Sequence, residues 1–361
     1  MRSFTYQALP GRIVFAPGAS RQKLTEEVDR LGAERVLLIA TEREKPLAEE
    51  LAEPLGERVG GIFTDVRPHV PVEVAEAARS MVREADADCL LSIGGGSTTG
   101  TAKAVALKEP LPIVAVPTTY AGSEMTPIWG LTKEQRKTTG NSVDVLPKVV
   151  VYDPELTFSL PPFITGPSAM NAMAHCVEAF YAPGANPIIS LMAEEGIRAL
   201  ARGVPVAVES PEDLEGRTEA LYGAYLAGAA LAATGAGLHH KICHVLGGAY
   251  DLPHAETHTI VLPHVVAFNE PAIPQISARV AEALGAEGAA TGLYELVEEI
   301  GAPTALKDVG MKEEYIDEVV PQILESVPEN NPRPVGEADV RSILERAYAG
   351  RRPELLPEGS I

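Results

Sequence analysis

Cys89-Leu-Leu-Ser-Ile-Gly94-Gly95-Gly96-Ser97-Thr98-Thr99-Gly100-Thr101-Ala102-Lys103 decides the fold. A short apolar run enters three consecutive glycines and continues into a helical pattern. Such a turn exposes bare backbone N–H groups at a helix N-terminus, which suits a pyrophosphate. Neither common nucleotide template fits. The G-x-G-x-x-G fingerprint needs glycine where Thr99 stands, and a P-loop needs lysine directly after Gly100, where Thr101 intervenes. A strand–helix turn without ligand is the alternative, but three glycines exceed what a turn requires.

Outward from this stretch, apolar runs at Arg35–Ala40, Pro112–Val116 and Lys148–Tyr152 match Cys89–Ile93 in length, and each of the four is β-branched or leucine-rich. Each ends in Gly, Pro, Thr or Asp, as buried parallel strands do. Val72–Ala85, with apolar positions three and four apart, predicts an intervening helix. Strand–helix alternation implies an α/β dinucleotide-binding domain with a mostly parallel sheet over residues 1–160. Pro161-Pro162 ends that regime. Helical patterns follow near Ser168–Tyr181 (with Ser168 as N-cap), Ile188–Ala201, Leu214–Thr234, Ile276–Leu284, Ala290–Ile300 and Glu313–Leu324. Residues 161–361 therefore read as an all-α domain.

Bulk properties narrow the function. The 361-residue chain is of globular composition, and 50 acidic against 30 basic residues leave a formal charge of −20. Such a charge repels nucleic acid and anionic membrane at long range. An anionic substrate then needs a local basic cluster. No signal-peptide pattern and no spanning apolar run is present, and Cys89, Cys176 and Cys243 form no paired framework, so a cytoplasmic location is expected.

Two further motifs carry chemistry. Val116-Pro117-Thr118-Thr119-Tyr120-Ala121-Gly122-Ser123-Glu124-Met125-Thr126 follows a strand and places hydroxyls where open α/β sheets bind ligand. Of eight histidines, five fall together: His239, His240, His244, His254 and His258. His240 and His244 share a helix face, Gly247-Gly248 is expected to break that helix, and Leu252-Pro253-His254 returns the chain. Asn171 and His175 form a second helical pair. Clustered imidazoles suit a divalent metal or a proton relay. Mere nucleotide binding would leave them unexplained.

These motifs together resemble the iron-containing alcohol dehydrogenase superfamily, over nearly the whole chain from Gly11-Arg-Ile-Val-Phe-Ala-Pro-Gly18 to the final helices. The resemblance implies an NADH- or NADPH-dependent oxidoreductase with Gly94, Gly95, Gly96, Ser97, Thr118, Thr119 and Tyr120 on the cofactor. It also implies that an Asp-x-x-x-His helix and two further histidines hold a divalent metal. Here His175, His240 and His254 match those positions, but the aspartate is Asn171, so these are read as vestigial ligand positions with no metal required. His244 matches a histidine near the nicotinamide. Within the superfamily the chain is most similar to the branch that reduces the carbon–carbon double bond of maleylacetate to 3-oxoadipate in aromatic-ring degradation. The motif Leu238-His-His-Lys-Ile-Cys-His244-Val-Leu-Gly-Gly carries this most specifically.

The expected substrate is thus a small dicarboxylate, with Lys241, Lys103 and His239 as basic candidates and a homodimer as the assembly. Glu42 after Arg35–Ala40 suits ribose hydroxyls and Arg43 a 2′-phosphate, which leaves NADH and NADPH open. The competing readings are a metal-dependent alcohol or polyol dehydrogenase of the same fold and a dehydroquinate-synthase-like lyase that recycles its NAD.

Overall fold

The computed structural model describes residues 3–9, 11–134 and 136–354, which group into two compact units. The first unit spans residues 8–160. Its strands are β1 (Arg12–Phe15), β2 (Val36–Ile39), β3 (Val59–Phe63), β4 (Cys89–Gly94), β5 (Ile113–Pro117), β6 (Ile128–Lys133), β7 (Arg136–Asn141) and β8 (Val149–Tyr152). Its helices are α1 (Ala19–Arg30), α2 (Lys45–Ala52), α3 (Val72–Ala85) and α4 (Gly96–Ala106). Six strands pair in parallel in the order β1-β8-β5-β4-β2-β3.

Apolar clusters cover both faces of this sheet, which explains why β2, β4, β5 and β8 are continuous apolar runs rather than alternating ones. The strand order reverses between β2 and β4. Ligands bind at the carboxyl ends of strands flanking such a reversal. The segment after β2 and the triple glycine after β4 both lie there.

The antiparallel pair β6–β7 was not foreseen from the sequence. β6 is of mixed polarity and only partly buried and β7 is polar, so neither has the apolar run that marks the parallel strands. β1 and β3 were also not anticipated. Both lie at sheet edges, where less apolar surface is needed.

The second unit holds residues 161–361 and, against the expected boundary, the segment before Ala8. Its helices are α5 (Pro162–Ala179), α6 (Pro187–Glu209), α7 (Leu214–Thr234), α8 (Leu238–Tyr250), α9 (His254–Asn269), α10 (Pro274–Leu284), α11 (Ala289–Glu299), α12 (Tyr315–Ser326) and α13 (Glu337–Ala349). No single helix among the described residues is long and apolar enough to cross a membrane.

Two expectations are corrected here. Ser168 does not cap α5 but lies inside it, because Pro162 occupies the first helical turn, where its missing N–H costs nothing. Gly247-Gly248 does not end α8. The helix runs through both to Tyr250 and stops where Asp251 turns left-handed at φ 53° before Pro253. Glycine weakens a helix by only about 1 kcal/mol, less than packing against α9 and α12 returns. His254 then opens α9.

Candidate active site

In the first unit, β4 delivers the chain into Gly94 at φ 149°. A Cβ there would lie 2.5 Å from Thr98 Oγ1 and 2.6 Å from Glu44 Oε2, so glycine is required by both conformation and space. Gly95 is the N-cap of α4 and contributes no side chain, which leaves the first-turn amides of Gly96 and Ser97 uncapped. The Thr98 hydroxyl is buried with no hydrogen-bond partner. An exposed helix N-terminus beside an unmet hydroxyl fits a phosphate group.

The loop after β5 closes over the same turn. Thr118 N donates to Gly94 O at 3.2 Å, and a Cβ on Gly95 would meet Thr119 Cγ2 at 3.1 Å. Tyr120 is fully buried. Glu42 is exposed and accepts a bond from the Thr64 hydroxyl.

The carboxylate nearest the glycines is Glu44, which the sequence reading passed over. It accepts from the Thr118 hydroxyl at 2.9 Å and from the Thr41 hydroxyl at 2.8 Å. The spacing Thr41-x-x-Glu44, a capping-box pattern, is the signal that could have singled it out.

Lys103 is not available to a substrate carboxylate. It is fully buried, and its ammonium donates to Ser123 O at 2.5 Å, Thr126 Oγ1 at 2.9 Å and Ile128 O at 3.0 Å. Burial lowers it to about 7, against the opposing pull of Glu124, whose own carboxyl burial pushes up. Lys103 therefore ties α4 to the segment 123–128.

In the second unit, Asn171, His175 and Glu178 recur at helical spacing on α5, and all three are buried. α8 contributes His239, His240 and His244, and α9 contributes His254 and His258. The His175 and His240 rings stack at 5.0 Å, His240 and His258 meet at 4.8 Å, and His254 and His258 at 4.3 Å. His244 lies 6.0 Å from His240 and 6.4 Å from His254. His175, His239, His240 and His258 are buried, whereas His244 and His254 are exposed. The result is a cluster with a buried imidazole floor and an exposed imidazole rim. Lys241, one residue beyond His240, is half-buried.

Burial, reinforced by the neighbouring imidazoles, pushes His175, His239 and His258 well below the usual 6.5, so these three are largely uncharged at neutral pH. His239 thus loses its place as a basic substrate contact. Its Nε2 is instead paired with His258 Nδ1 at 2.9 Å.

The residue that organises this floor was missed from sequence. Glu178 Oε1 accepts from His239 N at 2.7 Å, and Oε2 accepts from Gly237 N at 2.8 Å and meets His240 Nδ1 at 2.6 Å. Its signal was local: Glu178 follows His175 by three residues, one turn along the same helix.

Asn171 Oδ1, His175 Nδ1 and His240 Nε2 are buried atoms without hydrogen-bond partners. His240 is backed by a carboxylate, the usual support of a metal-binding imidazole. The donor chemistry therefore fits a divalent cation, although a neutral amide stands where a carboxylate would bind more tightly. The three potential ligand atoms lying within 4.8 Å of one another among the described residues belong to His239, His240 and His258 rather than to His175, His240 and His254. Two of that trio already hydrogen-bond each other.

Comparison with known proteins agrees with this geometry. Residues 10–154 match the iron-containing alcohol dehydrogenase family and residues 165–348 its C-terminal region. A maleylacetate reductase of Sphingobium indicum is 48% identical over 97% of this chain and 99% of its own. One from Burkholderia cepacia is 47% identical over 98% of this chain and 100% of its own. The crystal structure of maleylacetate reductase from Agrobacterium tumefaciens superposes with a TM-score of 0.94 at 46% identity, covering 98% of this chain and 100% of that one. The chain belongs to the iron-containing alcohol dehydrogenase family and groups within it with the maleylacetate reductases.

Proposed function

We propose that the protein reduces the carbon–carbon double bond of maleylacetate, or of a closely similar unsaturated oxo-dicarboxylate, with NADH or NADPH and without a required metal. One observation carries the reading of the reaction: the full-length match to maleylacetate reductases at 46–48% identity. The cluster supports the finer reading of metal independence through Asn171, which stands four residues before His175 in place of an anionic ligand.

NADH or NADPH, when held at the triple-glycine turn, would supply hydride to the carbon β to the ketone. The π electrons move onto the carbonyl oxygen as an enolate, and a proton adds to the neighbouring carbon. A conjugated enone disperses the negative charge as it forms, so hydrogen bonds can stabilise it. The exposed rim imidazoles, His244 and His254, suit proton delivery because solvent can reprotonate them between turnovers. Lys241 is the basic residue closest in sequence to the floor and is assigned to one substrate carboxylate. The triple-glycine turn, with Ser97 and the loop at Thr118, Thr119 and Tyr120, is assigned to the cofactor, and Glu42 to its ribose. His175, His240 and His254, with Asn171, would hold a divalent cation if one bound, and it would polarise a substrate oxygen.

A second reading, a metal-dependent alcohol dehydrogenase, is favoured by the unmet donor atoms on His175 and His240. One assay separates the two. NADH oxidation is followed on maleylacetate and on simple aldehydes, before and after exhaustive chelation. The proposal expects turnover of maleylacetate that survives chelation and little turnover of aldehydes. Loss of activity with chelator, restored by iron or zinc, would reject metal independence. Preference for aldehydes would reject the substrate.

A further inference from the structure

We infer that Glu178 is a positioning residue of the imidazole cluster: its carboxylate holds the His240 proton on Nδ1 and presents the Nε2 lone pair to the ligand. The assignment deepens the reading of this cluster as the reduction site and rests on it for its catalytic consequence. Glu178 is about 1% exposed and sits in the last turns of α5, and both its oxygens are engaged. Oε1 accepts the His239 N–H and Oε2 accepts the Gly237 N–H, so the carboxylate closes the N-terminus of α8, whose own N-cap, Gly237, has no side chain. The partial positive charge of that helix end favours an anion there.

An ionised carboxylate only accepts hydrogen bonds. The 2.6 Å contact to His240 therefore requires the imidazole proton on Nδ1. Nε2, buried and with no hydrogen-bond partner, is the nitrogen left to face a ligand. The arrangement is close-fitting: a Cβ on Gly237 would lie 2.6 Å from Glu178 Oε1. The His239–His258 pair differs, because two imidazoles can share one proton in either direction and neither tautomer is imposed. Among the floor histidines described, His240 is the one oriented by a carboxylate. It follows that Nδ1 of His240 is committed to Glu178 and that Nε2 is the nitrogen it offers to a hydrogen-bond donor or a cation.

The test is nitrogen-15 NMR of the full-length protein labelled at histidine, with the His240 signals identified by their loss in His240→Asn. The expected wild-type spectrum has His240 protonated at Nδ1 and bare at Nε2. In Glu178→Gln the amide presents one acceptor and one donor to three N–H groups, so the His240 proton should move at least partly to Nε2. kcat on maleylacetate should fall ten-fold or more while KM for NADH is unchanged, and Glu178→Asp should restore part of the loss. Protonation of wild-type His240 at Nε2 would overturn the assignment, and so would a folded Glu178→Gln with wild-type spectrum and kcat. If Glu178→Gln does not fold, the wild-type spectrum alone decides. Failure of the wild type to reduce maleylacetate would remove the proposed function, yet the tautomer measurement would still judge Glu178.

Discussion

Lys103→Met separates a structural lysine from a substrate-binding one. The change removes a donor from two backbone carbonyls, Ser123 O and Ile128 O, and from the Thr126 hydroxyl. Ser123 O keeps the Thr126 N–H and hydroxyl as donors, so the main penalty falls on Ile128 O, and a buried acceptor left without a donor costs about 1–3 kcal/mol. Opposing this, methionine relieves the burial of a charge. The size of that relief depends on pH. Folding lowers Lys103 from 10.5 to about 7, so between these values the unfolded chain binds more protons than the folded one. Wild-type stability then gains from this residue as pH rises from 7, by at most about 1.4 kcal/mol per unit. The variant lacks that gain.

Lys103→Met should therefore be more destabilising at pH 9 than at pH 6, with a difference of up to about 2–3 kcal/mol. The single tryptophan, Trp129, lies in β6 next to Ile128 and reports the unit concerned. Urea titrations followed by its fluorescence at both pH values make the measurement, beside kcat/KM on maleylacetate. Unchanged urea midpoints at both pH values, with a loss of kcat/KM confined to the dianionic substrate, would refute the tether and return Lys103 to the substrate.

Other outcomes follow from the same geometry. Lys241→Ala should lower kcat/KM for maleylacetate roughly 10- to 150-fold, the equivalent of about 1.5–3 kcal/mol for a charge-assisted bond, with a much smaller effect on an uncharged enone. His244→Ala should depress kcat on both, and equal losses in Lys241→Ala would reject its carboxylate contact. Asn171→Asp places an unpaired carboxylate in a buried cluster, so its melting temperature should fall and recover on adding zinc or iron. At a metal concentration a hundred times Kd the recovery amounts to about 2.7 kcal/mol, and calorimetry should show tighter metal binding than wild type. Gly96→Ala, whose new methyl would sit 3.2 Å from Ala121 Cβ, should raise Kd for NADH about ten-fold or more by fluorescence titration while leaving the melting temperature close to wild type. An unchanged Kd would remove the phosphate from this turn.

Much of the fold was legible because its signals are local. β2, β4, β5 and β8 are buried on both faces, so each writes an uninterrupted apolar run into the sequence. α3 shows its period equally plainly. The hairpin β6–β7 was illegible because a half-exposed strand of mixed polarity has no such signature. The ends of α5 and α8 were misread because Pro162 and Gly247-Gly248 are helix punctuation only on average, and their effect depends on position in the turn and on what the helix packs against.

The site divides along the same line. Local spacing placed Asn171 and His175 on one helix face, set His240 and His244 four apart and marked the triple glycine. Only the tertiary structure decided which imidazoles form the floor and which the rim, since burial depends on neighbours far along the chain. It sank Lys103 into a cage of oxygens 20 to 25 residues away. It paired His239 with His258, and it brought Glu178 against Gly237, His239 and His240 across 59 to 62 residues. Periodicity reports what one element requires of its own face. A hydrogen bond between two elements depends on how both are packed, and no spacing within either one encodes it.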